Sequence, residues 1–341
     1  MTDTAIRTLT LLREHPLPFC ELHVHIEGTL EPATIFDLAA RNRLTLPYRD
    51  IEDLSRRYEF TDLQSFLDLY YDNMSVLRQE RDYYDLTLQY LTRADLAGVR
   101  HVELFVDPQA HSIRGISTQT VLGGVSKGIA SAVELHGLTA ELIVCVLRDQ
   151  PVASAHEMLE SVLASGIRVA GIGLDSAELG YPPSLFRSVF EEAHANGLRR
   201  VAHAGEEGPA EYVWQALDDL GAERIDHGIR CLDDDALVAR LVRDRIPLTV
   251  CPLSNVRLGV AEELGRLPLR RMLDRGLVVT LNSDDPAYFG GYLDQNVEAC
   301  VTAFGLDYAE LTALAANSIE AAFVSDTRRA QLTGELPATA R

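Results

Sequence analysis

Short apolar or β-branched runs recur along the 341-residue chain, each followed by a longer stretch whose apolar positions repeat at helical spacing. Eight of these runs predict strands, over residues 19–25, 99–107, 138–148, 167–176, 198–206, 224–228, 247–252 and 277–284. The segments between them predict helices, among them 32–43, 118–136, 151–165, 183–196, 210–220 and 233–245. Several open on Pro or a capping residue and close at Gly, as at Gly137 and Gly197. Alternating strands and helices imply parallel βαβ units. Eight of them favour an α/β chain closed into a (β/α)8 TIM barrel over an open sheet.

Two stretches exceed a minimal barrel. Residues 50–96, between the first and second strands, are too long for a simple crossover and read as an insertion of two or three helices. An apolar stripe there (Phe60, Leu63, Phe66, Leu67, Tyr70, Tyr71) suits packing against the core or a lid over the barrel mouth. The tail, 307–341, reads as closing helices with a frayed end. With no linker, repeat or low-complexity segment in the sequence, residues 1–341 are expected to form one domain.

Composition narrows the partners. A hydrophobic fraction of 47% with 24% charged residues suits a globular chain with a large core. A formal net charge of −20 argues against binding nucleic acid and leaves a small neutral substrate open. Cys20, Cys145, Cys231, Cys251 and Cys300 are odd in number, scattered and never spaced CxxC, which suits reduced thiols. With no signal-peptide core at the N-terminus and no run approaching the roughly 18 apolar residues of a membrane span, a cytoplasmic protein is expected. The sequence does not specify an oligomeric state.

Polar residues gather at the C-terminal ends of the predicted strands, where barrel enzymes carry their active sites. Strand one ends in Glu21-Leu22-His23-Val24-His25. Alternation along a strand points His23 and His25 to one side, into the barrel, as a first pair of metal ligands. His203 ends strand five as a third candidate ligand. Glu206 follows it past the small Ala204 and Gly205, placed over the mouth as a proton donor. Glu207 suits a helix N-terminus instead. His227, at the end of strand six, suits either a ligand or a base toward a metal-bound water. Asp284 and Asp285 end strand eight, one to complete the metal site and the other to read a substrate. A closed structural zinc site has no use for an extra acid and an extra imidazole. A hydrolytic site does, because zinc lowers the pKa of bound water to about 7. The remaining histidines, His15, His101, His111, His136, His156 and His194, lack comparable company, the last three on predicted helix surfaces. Lysines are very few and none ends a strand, which favours one metal over a lysine-bridged pair.

Four motifs, Glu21-Leu-His23-Val-His25-Ile-Glu27-Gly28, His203-Ala-Gly-Glu206, Arg224-Ile-Asp-His227-Gly and Leu281-Asn-Ser-Asp284-Asp285-Pro, resemble the adenosine/adenine deaminase family of the amidohydrolase superfamily. The resemblance runs in family order over about residues 18–326. It implies one Zn2+ per chain held by His23, His25, His203 and Asp284. It further implies that His227 orients and deprotonates the zinc-bound water, that Glu206 protonates purine N1, and that Asp285 hydrogen-bonds N7. Within the family, segments such as Asp107-Pro-Gln-Ala-His111, Gly173-Leu-Asp175-Ser176-Ala-Glu178 and Asp284-Asp-Pro-Ala-Tyr-Phe-Gly-Gly look most like the adenine deaminase branch. Adenosine-acting relatives carry Asp where Glu27 stands and Gly near Ser176, so Glu27 and Ser176 are expected to narrow the ribose space as substrate-binding residues. The implied reaction is hydrolysis of adenine to hypoxanthine and ammonia in purine salvage. Adenosine or another 6-aminopurine is the alternative, and a purine-binding protein without turnover the remote one.

Overall fold

A computed structural model describes residues 1–338. Its eight strands are β1 (Cys20–His25), β2 (His101–Val106), β3 (Thr139–Leu147), β4 (Gly171–Asp175), β5 (Arg199–Ala204), β6 (Arg224–His227), β7 (Pro247–Val250) and β8 (Val278–Leu281). They pair in sequence order and in parallel throughout, with helices in the connections. This is the (β/α)8 barrel read from the alternation of strand and helix. Each observed strand lies inside its predicted run.

Closure between β8 and β1 does not use a regular ladder. Asp284 N–H donates to the His23 carbonyl (3.1 Å), His25 N–H donates to the Asp284 carbonyl (3.0 Å), and Leu22 N–H donates to Asn282 Oδ1 (2.8 Å). The segment that closes the barrel is therefore the segment that carries the strand-eight acid. The β1–β2 register also slips between Glu21 and Val24, a bulge of the kind that re-aims side chains beside active sites. Beyond it, His25 pairs with Phe105.

Alternation along the strands separates two environments. Val102, Leu104 and Val106 of β2 join the main core, the layer in which strands meet helices. Phe105 instead joins Ile143, Cys145 and Val201 in a small separate cluster. Below it the barrel floor is ionic. Arg224 and Glu103, both fully buried, pair at 2.6 Å, and Arg224 also donates to the Leu22 carbonyl at 3.0 Å. A buried guanidinium needs such partners, because an unpaired charge there costs several kcal/mol or more.

The insertion after β1 contains the helices Ile51–Ser55, Leu63–Asn73 and Glu80–Leu96, joined by short turns. Glu80–Leu96 lies hard against Thr118–His136, where a Cβ on Gly124 would meet the Tyr83 Cβ at 2.6 Å. Leu63–Asn73 starts at Asp62, whose carboxylate accepts from Ser65 N–H. Its face of Phe66, Leu67 and Tyr70 is buried, with Phe66 packed on Phe289 at a ring distance of 4.7 Å. Both expectations for the apolar stripe meet here: it is packed, and it roofs the mouth of the barrel.

The N-terminal helix Asp3–Glu14, capped by Thr2, was not among the predicted elements. The tail forms the helices Tyr308–Ala321 and Asp326–Glu335. The frayed end expected after them falls at residues 339–341, outside the described residues. Among the described residues, no helix is long and apolar enough to cross a membrane.

Candidate active site

His23 and His25 on β1, His203 on β5 and Asp284 just beyond β8 meet at the C-terminal end of the barrel, all buried. One donor atom from each lies within 4.8 Å of the other three. Asp284 Oδ1 is 3.2 Å from His23 Nε2 and 3.5 Å from His25 Nε2, and the latter is 3.3 Å from His203 Nε2. The far nitrogens fix the tautomers. The Thr249 hydroxyl donates to Asp226 (2.8 Å), so at 2.9 Å it accepts from His23 Nδ1–H. His203 Nδ1–H donates to the Leu174 carbonyl at 3.1 Å. Both rings thus turn an Nε2 lone pair toward the cluster, and His23 Nε2 has no hydrogen-bond partner there. Burial holds His25 down to about 4 and His203 well below the usual imidazole range, which favours the neutral forms a metal requires. Burial alone would raise Asp284, but His23 at 3.2 Å outweighs it and holds the carboxylate well below its usual range. Three imidazoles, one carboxylate and outer hydrogen bonds that orient them fit a divalent metal ion.

Glu206 and His227 stand beside this set. His227 Nε2 is 3.5 Å from Glu206 Oε2 and 3.7 Å from Asp284 Oδ2. Burial pushes Glu206 well above the usual carboxylate range, reinforced by Asp284 and Glu178, and burial lowers His227 to about 3. The result is a protonated carboxyl next to a neutral imidazole, a donor and an acceptor on one rim. Glu206 is held by its backbone. The Glu178 carboxylate accepts from four successive N–H groups, those of Gly205, Glu206, Glu207 and Gly208, at 2.6–3.1 Å. No sequence argument assigned Glu178 this role, although it lies in the quoted Asp175-Ser176-Ala-Glu178 run. Thr249 and Asp226, behind His23, were missed for the same reason: an outer partner has no spacing signature.

Ser176, His227 and Asp284 all adopt left-handed backbone, with φ of 70°, 61° and 65°. Each is a non-glycine residue at the end of an even-numbered strand, where this conformation costs on the order of 1–2 kcal/mol. Strain of this kind collects at sites where side-chain direction matters more than backbone comfort.

The cavity above the cluster is roofed by Leu63, Phe66, Leu67 and Tyr70 of the insertion. Asp285 and Ser176 both line it. Burial raises Asp285 well above the usual range, with neighbouring Asp284 adding to it. Gly28 passes so close that a Cβ there would lie 2.7 Å from the Asp285 Cα, so only glycine fits. Ser176 Oγ accepts from the Tyr71 hydroxyl at 2.9 Å. Glu27 stands one step behind the wall. Its Oε1 accepts from Asp107 N–H (3.2 Å) and pairs with His111 Nε2 (2.8 Å), while Oε2 has no hydrogen-bond partner. His111 thus has company that no motif announces, and His101, also buried, pairs with Thr139 at 2.8 Å. His136 and His156 are half-buried and His194 is exposed, close to expectation. The buried carboxyls of Asp107 and Asp175 complete the wall.

This fold and this donor set define a (β/α)8 barrel of the amidohydrolase type, built to hold a divalent metal. The adenosine deaminase family profile matches residues 18–339, and the chain belongs to that family. An adenine deaminase from Streptomyces coelicolor is 55% identical over 325 residues, covering 95% of this chain and 96% of its own. The crystal structure of an adenine deaminase from Arthrobacter aurescens superposes with a TM-score of 0.93 at 55% identity, covering 94% of this chain and 98% of the other. An amidohydrolase from Burkholderia ambifaria with bound zinc gives 0.87 at 29% identity, over 97% of this chain and 91% of its own.

Proposed function

We propose that this protein is a zinc-dependent adenine deaminase, converting adenine and water to hypoxanthine and ammonia. The observation that carries the reading is the meeting of a His23–His25–His203–Asp284 donor set with a buried acid and a buried imidazole under an apolar roof. Likeness to the Streptomyces and Arthrobacter adenine deaminases supports the substrate. Nitrogen and carboxylate donors suit zinc, the metal of the Burkholderia relative. The five cysteines, all unpaired and buried, support a cytoplasmic setting. We assign the activity to one domain spanning the chain.

When bound, the metal supplies an acidified water as nucleophile. The rest falls to side chains. In this reading His227 orients that water and takes its proton. Glu206, protonated through burial, donates to purine N1 and draws electron density from C6, where the nucleophile adds; the proton taken by His227 passes to the 6-amino group, and the C6–N bond breaks to release ammonia. Asp285 donates to N7 and fixes the ring in plane. Leu63, Phe66 and Leu67 cover the purine face and exclude bulk water.

Two measurements on the purified protein test this. Elemental analysis should find about one zinc per chain, and adenine should yield hypoxanthine and ammonia in equal amounts. Asp284→Ala should lose metal and activity together. A variant with full zinc content would contradict the ligand assignment, and wild-type protein inert toward adenine would contradict the reaction.

A further inference from the structure

The reading above engages N1 and N7 of the purine, both acceptors, with two protonated carboxyls. It leaves the N3/N9 edge. In free adenine that edge offers an acceptor (N3) beside the ring's one N–H donor (N9), so a matching wall must present one donor and one acceptor side by side. In a nucleoside, N9 carries a sugar and the donor is gone.

Ser176 and Asp107 supply a donor and an acceptor to the wall of the same cavity. They follow β4 and β2, across the mouth from β6 and β8, which carry His227 and the two acids, and both line the cavity. The Tyr71 hydroxyl donates to Ser176 Oγ, so the serine's own proton remains to be donated to N3. Asp107 is 2% exposed, its backbone N–H is fixed by Glu27, and its Oδ1 has no hydrogen-bond partner. A buried carboxyl oxygen without a partner costs on the order of 1–3 kcal/mol, which a ligand N–H at that point would offset.

We propose that Asp107 is a specificity-determining residue that accepts the N9–H of the free base, with Ser176 donating to the adjacent N3. Asp107 selects by need as well as by fit. A 9-substituted purine leaves its oxygen unpartnered and drives the substituent into a buried acid. A proton shared with neighbouring Asp175 still leaves Asp107 one accepting oxygen. The inference rests on the adenine deaminase reading and extends it to how the free base is chosen.

The test compares kcat/KM for adenine and 9-methyladenine in wild type, Asp107→Ala and Asp107→Asn, with metal content measured for each. 9-Methyladenine is followed as a competitive inhibitor where its turnover is too slow. Asp107→Ala should keep its metal and lose on the order of 10- to 100-fold on adenine. Its effect on 9-methyladenine should be small or favourable, so that the preference collapses. Asp107→Asn keeps an acceptor oxygen and should keep most of the preference; its collapse in this variant would overturn the inference, which keeps the test decisive should the alanine variant fail to fold. Equal losses on both substrates, or an unchanged preference in both variants, would overturn the inference while leaving the reaction in place. Wild-type protein inert toward adenine would overturn the underlying reading and the inference with it.

Discussion

At the scale of single residues, the chemistry depends on protonation states set by burial. In the proposed mechanism Glu206 serves as a donor only while protonated, and burial raises its pKa well above an ordinary glutamate. The active form lies below that pKa, so kcat should fall as pH rises through it. Glu206→Gln should retain metal and lose about 10²–10⁴-fold in kcat, with that fall missing from the residual rate. Stopped pH–rate profiles on both proteins check this. Near-normal turnover in the variant would remove Glu206 from the mechanism. Asp284 shows the opposite balance, held well below the usual carboxylate range by His23 despite its burial.

At the scale of elements, the strand ends aim the chemistry and short loops hold it. The four N–H groups that converge on Glu178 set the path of the Gly205–Gly208 loop, and with it the position of Glu206 beside the His–Asp donor set. Glu178→Ala should therefore keep His203 and the metal in place while lowering kcat about 10²-fold, the cost of roughly 1 Å of misplacement in a reacting group. Turnover and metal content measured on the same sample decide it, and loss of metal would mean that Glu178 supports β5 as a whole. The strands and most of the rim were legible in the sequence because alternation, helical period and motif residues leave local signals. His23, His25, His203, Glu206, His227, Asp284 and Asp285 each sit at a strand end that an apolar run announces. Glu178, Thr249 and Asp226 were not legible, because a carboxylate or hydroxyl that orients another residue looks like any other polar residue until the fold brings it there. Glu27 is expected from the sequence to limit the ribose space, yet its hydrogen bonds run to Asp107 and His111 behind the wall. The N-terminal helix Asp3–Glu14 was missed because it lies outside the alternation that revealed the barrel.

For the whole molecule, the barrel joins two dissimilar ends. The open end concentrates carboxyls and imidazoles, and the floor is tied by the buried Arg224–Glu103 pair across β6 and β2. Burial would raise Glu103, but Arg224 and His101 outweigh it and its pKa is lowered below 4.5. A depressed carboxylate contributes stability that is present above its unfolded pKa and lost as pH falls. Glu103→Gln should cost about 3–5 kcal/mol at pH 7, because it strands a buried guanidinium. The gap from wild type should narrow as pH falls below about 4.5, the ordinary glutamate value. Urea titrations across that range give both numbers, and an equal gap at every pH would mean that the charge is not what matters. The same molecule-wide design places an apolar roof over a polar, metal-binding mouth, which gives a flat, nitrogen-rich base a closed seat. The most direct test of the account is kcat/KM for adenine and adenosine measured side by side on zinc-loaded protein. Adenine should be preferred by orders of magnitude, and a clear preference for adenosine would contradict the account.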